Sequence, residues 1–337
     1  MKTFFLLISL ALALNVICDS PSQLIFNKFL DKSPEEIFEV FHTVYNRDYE
    51  LSSQEGQKRL NIFKQNLKLI KETNSKRLPY TFGINQFTDL TNQEFRERHL
   101  TFPNALKAQM QSFYSLSNQV PITGVVGARG NIDWKSLFNA PRNQGSCGSC
   151  WAFTTAGIVE SNWWKKNQSK AKINLAPQHL VDCDTGNGGC NGGWYEAALR
   201  FVMGKGIVEE KYYPYKGVKG TCRVPSTAPK YKVTNFSYCD SCTMDQWWAL
   251  FQQGPIAIAV DANQFQFYQS GIYSLQNCGQ INHAIIASGW TLDSEGEVLS
   301  IRNSWGSTWG EQGYMRIRVN LQDQTCGALN YAYLPIV

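Results

Sequence analysis

Three features are scarce in this chain of 337 residues, and each absence narrows the class of protein. After residue 18 no run of about 20 apolar residues occurs, so we expect no membrane-spanning helix. The net charge of +5 is spread without basic blocks, which argues against a nucleic-acid partner. No cysteine lies between residues 19 and 126, whereas nine lie between 127 and 337. We therefore predict two regions that are held together by different means and have different fates.

The N-terminus has the pattern of a secretory signal. One lysine precedes the apolar run from Phe4 to Leu14, and the sequence allows a cut at Ala11-Leu12-Ala13 or after Cys18. A cut after residue 18 would leave an odd number of cysteines in an oxidising compartment, so we expect one free thiol. The sequons at Asn167 and Asn235 are glycosylation acceptors consistent with secretion. The sequence therefore predicts the secretory pathway, with a lysosomal, vacuolar or extracellular destination.

The segment from Gln144 to Phe153 contains the strongest candidate for a nucleophile. It leads into a stretch, 151–164, that is apolar on almost every side and is typical of a buried helix. Cys150 would lie at the N-terminal end of that helix, where unpaired N–H groups and the macrodipole favour a thiolate.

The same segment also allows structural interpretations. A Cys-x-x-Cys loop is often a disulfide or part of a zinc site, although its only possible zinc partner in sequence is the pair Cys239 and Cys242. A thioredoxin-type redox pair would require a short βαβ unit, and this chain is far longer. The local sequence fits a structural and a nucleophilic cysteine about equally well.

A cysteine nucleophile requires a histidine, and residues 127–337 contain two. We expect a short helix around His179, with this residue at a surface or a helix end. His283 begins a run of β character, and Asn303 and Trp305 follow about twenty residues later. The asparagine could orient the imidazole and the tryptophan could exclude water from it.

Two helices are predicted in the cysteine-free region. The first begins at Ser33-Pro34, and the second covers 53–74. The second helix and the element Gly83–Asp89, a Gly-x-Asn-x-Phe-x-Asp sequence, resemble the propeptide of cathepsin L-like cysteine proteases. On the helix this resemblance depends on six positions of the so-called ERFNIN pattern, namely Glu55, Arg59, Phe63, Asn66, Ile70 and Asn74.

The cysteine-rich region resembles papain-like cysteine proteases. Cys-Gly-Ser-Cys-Trp with a histidine and an asparagine roughly 130 and 150 residues downstream is the spacing known for papain and cathepsins. With the propeptide motifs, the resemblance covers nearly the whole chain after the signal. It implies a signal peptide at 1–18, an inhibitory propeptide at 19–126 and a mature peptidase domain at 127–337.

The expected fold is α+β, with a helical propeptide before two papain-like domains. A helical domain would cover about 135–240. An antiparallel, barrel-like sheet would contain strands at 255–260, 283–290, 298–304 and 314–319. The active site would lie in the cleft between the two domains, and the propeptide would block this cleft as an intramolecular inhibitor.

The resemblance also implies roles for individual residues. Cys150 would be the nucleophile, His283 the general base and acid in a thiolate–imidazolium pair, and Asn303 the residue that orients the imidazole. The Gln144 side chain and the Cys150 N–H would form the oxyanion hole. The implied disulfides are Cys147–Cys190, Cys183–Cys222 and Cys278–Cys326, and for the surplus Cys239 and Cys242 we favour a tight disulfide loop over half of a zinc site.

Substrate-binding residues follow from the same resemblance. Gly192 and Gly193 would pair with an extended substrate by strand addition. The second specificity pocket would favour a hydrophobic or aromatic residue second before the cut, and Tyr331 would shorten it because cathepsin L-like enzymes often have a small residue there. The short Cys183–Cys190 interval leaves no room for the occluding loop of cathepsin B, which favours an endopeptidase. The further substrate-binding residues are Trp194, Tyr195, Ala259, Asn282, Ala284 and Trp305.

We therefore expect a cysteine endopeptidase made as a zymogen that acts on proteins or peptides through a thioester, as a monomer, without a cofactor or metal. Protonation of carboxylates such as Asp89 would activate it in acid. Two other classes are weighed against this expectation. A non-catalytic homologue would lack Cys150 or His283, and both are present. An acyl or glutamyl transferase could use the same chemistry, but the propeptide pattern argues against it.

Overall fold

The protein was analysed as a computed structural model that describes Ile25, Phe26, Phe29 and residues 31–100, 129–168 and 170–337. The expected signal peptide, 1–18, lies outside these residues. So does most of the segment 112–130, in which we expect the maturation cut.

Three helices and one strand form the described part of the propeptide region: α1 (Pro34–Val44), α2 (Gln54–Ser75), β1 (Tyr80–Phe82) and α3 (Asn92–His99). The predicted start of α1 is confirmed, because Ser33 and Glu36 form a capping box and Pro34 occupies the first turn. Phe41 and Phe63 are fully buried, and their rings lie 5.0 Å apart between α1 and α2.

Three polar pattern residues of α2, Arg59, Asn66 and Asn74, bind the segment that follows the helix. Arg59 is only 5% exposed and forms ion pairs with Glu55 at 2.6 Å and with Glu94 at 2.8 Å. Asn66 donates from its side-chain amide to the carbonyls of Thr88 and Leu90. The polar positions of the pattern therefore replace the covalent links that this region lacks.

The helical domain of the cysteine-rich region surrounds α4 (Cys150–Lys166). Every residue from Cys150 to Asn162 is buried, as the apolar sequence predicts. Two 3-10 turns, two further helices and a two-stranded sheet surround it: Lys135–Leu137, α5 (Pro177–Cys183), Gly189–Asn191, α6 (Tyr195–Lys205), β3 (Ile207–Val208) and β4 (Lys230–Tyr231).

The second domain is a sheet with one helix, α7 (Met244–Phe251), packed against it. All four predicted strands are present, at Ile256–Val260, His283–Asp293, Gly296–Arg302 and Tyr314–Arg318. The sheet strands are β2 (Ile132–Asp133), β5 (Asn235–Asp240), β6 (Ile256–Val260), β7 (Tyr268–Tyr273), β8 (His283–Asp293), β9 (Gly296–Arg302), β10 (Tyr314–Arg318) and β11 (Tyr331–Ile336).

The order of the sheet is β1-β7-β10-β9-β8-β6-β11-β5, with β2 paired to β8. The four predicted strands pair antiparallel as expected, and the parallel contact joins β10 to β7, a strand that was not predicted. The propeptide strand β1 extends the same sheet by antiparallel pairing with β7. At the crossing, a Cβ on Gly271 would lie 2.2 Å from the Pro79 carbonyl oxygen, so only glycine permits this approach.

Four disulfides join cysteines of the peptidase region. They have the pairings expected from the sequence, including the tight loop: Cys147–Cys190, Cys183–Cys222, Cys239–Cys242 and Cys278–Cys326. Among the described cysteines, Cys150 alone is free, and it is buried.

Candidate active site

Cys150 is the first residue of α4 and is fully buried. Burial raises the pKa of its thiol to about 11, although the backbone N–H groups of Ala284, Trp151 and Cys150 itself act to lower it. The helix N-terminus therefore favours the thiolate as expected, but in the covered site desolvation outweighs this effect.

His283 is the first residue of β8, and its neighbour Ala284 directs a backbone N–H at the Cys150 sulfur. The Nε2 of His283 lies 2.7 Å from Asn303 Oδ1, and the Trp305 ring stacks on the imidazole with 4.7 Å between centroids. The other ring nitrogen, Nδ1, has no hydrogen-bond partner among the described residues. Burial lowers the pKa of His283 to about 4.

Gln144 is held on three sides. Its backbone N–H donates to the Ser304 carbonyl at 2.8 Å, and its Oε1 accepts from the Ser304 hydroxyl at 2.6 Å. Its Nε2 donates to the Cys147 carbonyl at 3.1 Å and, more weakly, to the His99 carbonyl at 3.4 Å. Ser304 also donates its N–H to Asn303 Oδ1, so this unpredicted residue links Gln144 to the His–Asn pair.

Gly192 and Gly193 follow the Cys147–Cys190 disulfide. Gly192 has a φ of +103°, and a Cβ on Gly193 would lie 2.7 Å from the Trp151 ring. A side chain at either position would distort the backbone beside α4, so both positions, which are buried, favour glycine.

The second specificity pocket is expected to be formed by Trp194, Tyr195, Ala259, Ala284 and Tyr331. The first four belong to the apolar cluster that also contains Cys150, and Tyr331 packs against it. Ala259 and Ala284 face each other across β6 and β8. Trp194 stacks on Tyr195 at 4.0 Å, and the half-buried Tyr331 meets Trp194 edge-on at 5.3 Å.

Asn282 has a different environment from the pocket residues. Its side chain binds the turn at Asp261–Asn263, accepting from the Ala262 N–H and donating to Asp261 and Asn263. It also lines a cavity beneath the propeptide helix α3.

The propeptide covers the site, and several of its residues contact Trp305. Phe87 and Phe95 meet the Trp305 ring edge-on at 5.4 and 5.3 Å. Gln86 donates to the Trp305 carbonyl at 2.6 Å. Farther along, Gln266 is almost fully buried, and its Nε2 donates to two propeptide carbonyls.

His99, at the end of α3, is a functional candidate that the sequence analysis missed. Its Nδ1 lies 2.9 Å from the Gly145 carbonyl, and its own carbonyl is the acceptor for Gln144. The ring packs on Phe87 at 4.6 Å, and burial lowers its pKa to about 4. The available signal was a histidine just beyond the Gly-x-Asn-x-Phe-x-Asp element, but nothing in the sequence shows that it reaches Gly145.

His179 lies in the predicted short helix, α5, but its expected place at a surface or helix end is wrong. It is only 3% exposed, and its Nδ1 accepts from the Val208 N–H at 3.3 Å. It therefore joins α5 to the small sheet. Over the described residues, every helix is too short or too polar to cross a bilayer.

The site combines a buried cysteine at a helix N-terminus with a His–Asn pair and a stacked tryptophan, and the propeptide lies over it. This arrangement is that of a thiol hydrolase held in precursor form. Residues 129–336 match the model of the papain family cysteine proteases, and residues 38–95 match the cathepsin propeptide inhibitor domain. The chain belongs to the papain family of cysteine proteases and carries an inhibitory propeptide domain.

Similar proteins cover nearly the whole chain. It is 35% identical to a cathepsin L-like proteinase of Fasciola hepatica, over 90% of this chain and 94% of that protein. It is 33% identical to chymopapain of Carica papaya, over 89% and 86% of the two chains. The solved digestive procathepsin L 3 of Tenebrio molitor has 30% identity and a TM-score of 0.79, and covers 91% of this chain and 100% of its own.

Proposed function

We propose that the processed protein is a cysteine endopeptidase that cleaves peptide bonds through a thioester on Cys150. The observation that carries this proposal is the 2.7 Å contact between His283 and Asn303, stacked against Trp305, beside the only free cysteine among the described residues. Because Nε2 is engaged by Asn303, Nδ1 remains to exchange a proton with Cys150.

The steps follow from these positions. The Cys150 thiolate attacks the substrate carbonyl, and the oxyanion binds the Gln144 amide and the Cys150 N–H. Imidazolium His283 gives its proton to the leaving amine as the thioester forms. Neutral His283 then takes a proton from water, whose oxygen attacks the thioester and releases the acid product. Asn303 keeps the imidazole in one orientation throughout.

The covered site explains how the precursor stays inactive. A thiol pKa of about 11 and an imidazole pKa of about 4 favour a neutral pair between Cys150 and His283. In both groups burial is the largest cause, and for His283 the nearby propeptide residue His99 also lowers the pKa. We propose that departure of the propeptide admits water, reverses both shifts and creates the thiolate–imidazolium pair.

Substrate preference follows from the pocket residues. Trp194, Tyr195, Ala259 and Ala284 are apolar and buried, which favours a hydrophobic residue second before the cut. Tyr331 stands edge-on at the rim and shortens the pocket. Gly192 and Gly193 offer backbone for strand pairing with the substrate.

We propose that residues 1–18 direct the chain into the secretory pathway, that 19–126 form the removable propeptide and that 127–337 form the mature enzyme, lysosomal, vacuolar or secreted. Asn167 and Asn235 stay proposed glycosylation sites; both are half-buried.

His99 explains acid activation better than Asp89. Burial raises the pKa of Asp89 despite its contacts with Arg47 and Tyr49. Proton uptake by Asp89 therefore favours the folded propeptide, which is the wrong sign for release. His99 has a lowered pKa, so its protonation disfavours the docked state.

Labelling tests the proposal directly. Acid-processed protein is titrated with a thiol-directed peptidyl epoxide that carries leucine, and the product is mapped by peptide analysis. We expect one label per molecule on Cys150 with complete loss of peptidase activity, and no label in Cys150→Ser. Folded, processed protein without a label at Cys150 would overturn the proposal.

A second readout separates hydrolysis from acyl transfer. Products are compared with and without an added primary amine. A peptidase releases mainly the free acid, whereas a transferase requires the amine for turnover.

A further inference from the structure

The Cys239–Cys242 disulfide closes a four-residue loop at the end of β5. Both cysteines are only 6% exposed. Within the loop, Ser241 has a φ of +53°, an unfavourable conformation for a residue with a side chain. The bridge holds this backbone in place just before Thr243 caps α7.

This loop contains the strand partner of Tyr331. Asp240 pairs with Tyr331 and Cys239 pairs with Ala332 in the antiparallel ladder of β5 and β11. The Cys242 N–H donates to the Asn330 carbonyl at 3.0 Å, so the loop also holds the residue before Tyr331.

Among the described strands, β5 alone pairs with the beginning of β11. On its opposite side, β11 pairs with β6 at Tyr333, two residues farther along the strand. The residues before Tyr331 form turns, and three of them in succession, Gln324 to Cys326, have positive φ values. The position of Tyr331 therefore depends on the loop that the disulfide closes.

Tyr331 is the rim residue of the proposed pocket. Its ring meets Trp194 edge-on at 5.3 Å and remains half-buried. Below it, Tyr333 is fully buried, stacks on Tyr238 at 5.1 Å and donates to Asp240 at 2.8 Å. A shift of the loop would therefore move Tyr331. Tyr333 would stay in place, because it is also held by Tyr238 and by its pairing with β6.

We infer that the Cys239–Cys242 disulfide is a positioning element for substrate selection. It holds Tyr331 over the second specificity pocket and limits the size of the side chain bound there. The inference is based on the pocket assigned under the proposed function. The disulfide has no part in the chemical step, since the bonds and strand pairing of the two cysteines are with each other, with Asn330 and with β11.

The test is a double-mutant cycle on processed enzyme, with the variants Tyr331→Ala, Cys239→Ala/Cys242→Ala and all three changes together. Two peptides that differ only in carrying phenylalanine or valine second before the cut are compared by kcat/KM. All rates are normalised to titrated active sites, so that only folded enzyme is counted. Cys183→Ala/Cys222→Ala, which removes a disulfide outside the pocket cluster, is the matched control.

We expect Tyr331→Ala to raise the phenylalanine-to-valine ratio about tenfold, the order expected for added room in an apolar pocket. Removal of Cys239–Cys242 should raise the ratio roughly threefold, as for coupled neighbours, but should have no effect when Tyr331 is already alanine. The control should leave the ratio unchanged. A general loss of stability would not produce this dependence on Tyr331.

Failure of the inference and failure of the pocket assignment are distinguishable. If Tyr331→Ala changes the ratio and removal of the disulfide does not, the inference alone is wrong. If Tyr331→Ala leaves the ratio unchanged, the pocket assignment is wrong and the inference with it. Should the alanine pair give no titratable enzyme, Cys239→Ser/Cys242→Ser removes the same bridge with side chains close in size to cysteine, and an unchanged ratio there overturns the inference.

Discussion

The propeptide and peptidase regions of this molecule are stabilised in different ways. The peptidase region contains four disulfides and a central helix that is buried along most of its length. The propeptide region has no cysteine after residue 18 and depends on an aromatic core, Phe38, Phe41 and Phe63, with a buried Arg59 network. One region is therefore held together by covalent links, whereas the other can unfold when its noncovalent contacts are lost.

The two regions meet through contacts that can be reversed. The pairing of β1 with β7 involves three propeptide residues, and none of the four disulfides among the described residues crosses the boundary. The polar contacts are hydrogen bonds such as those of Gln266 and Gln86. Inhibition thus depends on the propeptide remaining folded, since β1, Phe87 and His99 are held in place by α2 and α3.

The largest expected effect concerns the peptidase region, which contains the proposed catalytic residues. His283→Ala in processed enzyme should lower kcat by roughly 10⁴-fold, the usual consequence of losing the base of such a group. His179→Ala is the control, because that buried histidine contacts Val208 and has no place in the proposed mechanism. Its rate per titrated site should remain close to that of the wild type. A residual rate within tenfold of wild type in His283→Ala would contradict the assignment.

Phe63→Ala should destabilise the folded propeptide and leave the stability of the peptidase region unchanged. Phe63 is fully buried between Phe38 and Phe41, so the cavity should destabilise the propeptide by about 3–5 kcal/mol. We expect hydrogen exchange to increase in α1 and α2 of the Cys150→Ser zymogen, with exchange in β8 and β9 unchanged.

The exposed Leu69, on the same helix, provides the matched control, and Leu69→Ala should leave exchange unchanged. Equal loss of protection in both regions of the Phe63→Ala zymogen would show that they unfold as one unit.

The sequence was most informative where chemistry restricts the choice of residue. Cys150, His283 and Asn303 could be proposed as a group because a thiol nucleophile needs these residue types, and α4 could be predicted because it is apolar on nearly every side. The pairing of β7 with β10 could not be found, because it depends on contacts between distant segments. The same is true of Ser304, which links Gln144 to Asn303. It is also true of His99, whose ring contacts the Gly145 carbonyl and whose own carbonyl accepts from Gln144, because such backbone contacts leave no pattern in the sequence.

The smallest expected effect concerns the pH at which the two regions separate. The pKa of His99 is about 4 when docked, against 6.5 for the free side chain. Its contribution to docking is therefore fully present above pH 6.5 and is lost as the pH falls from 6.5 towards 4. At pH 5 the loss amounts to about 2 kcal/mol, or roughly 30-fold in the docking equilibrium.

His99→Asn should remove most of this dependence, since asparagine can donate to the Gly145 carbonyl but does not titrate in this range. We expect the ratio of processing rates at pH 5 and pH 7 to fall by roughly tenfold or more, with little change in the rate at pH 7. His42→Asn is the matched control, because His42 contacts Tyr49 within the propeptide. An unchanged pH profile in His99→Asn would mean that other groups control release. A profile flattened only in this variant would place the acid switch at the point where α3 meets Gly145 and Gln144, where the propeptide reaches the proposed oxyanion hole.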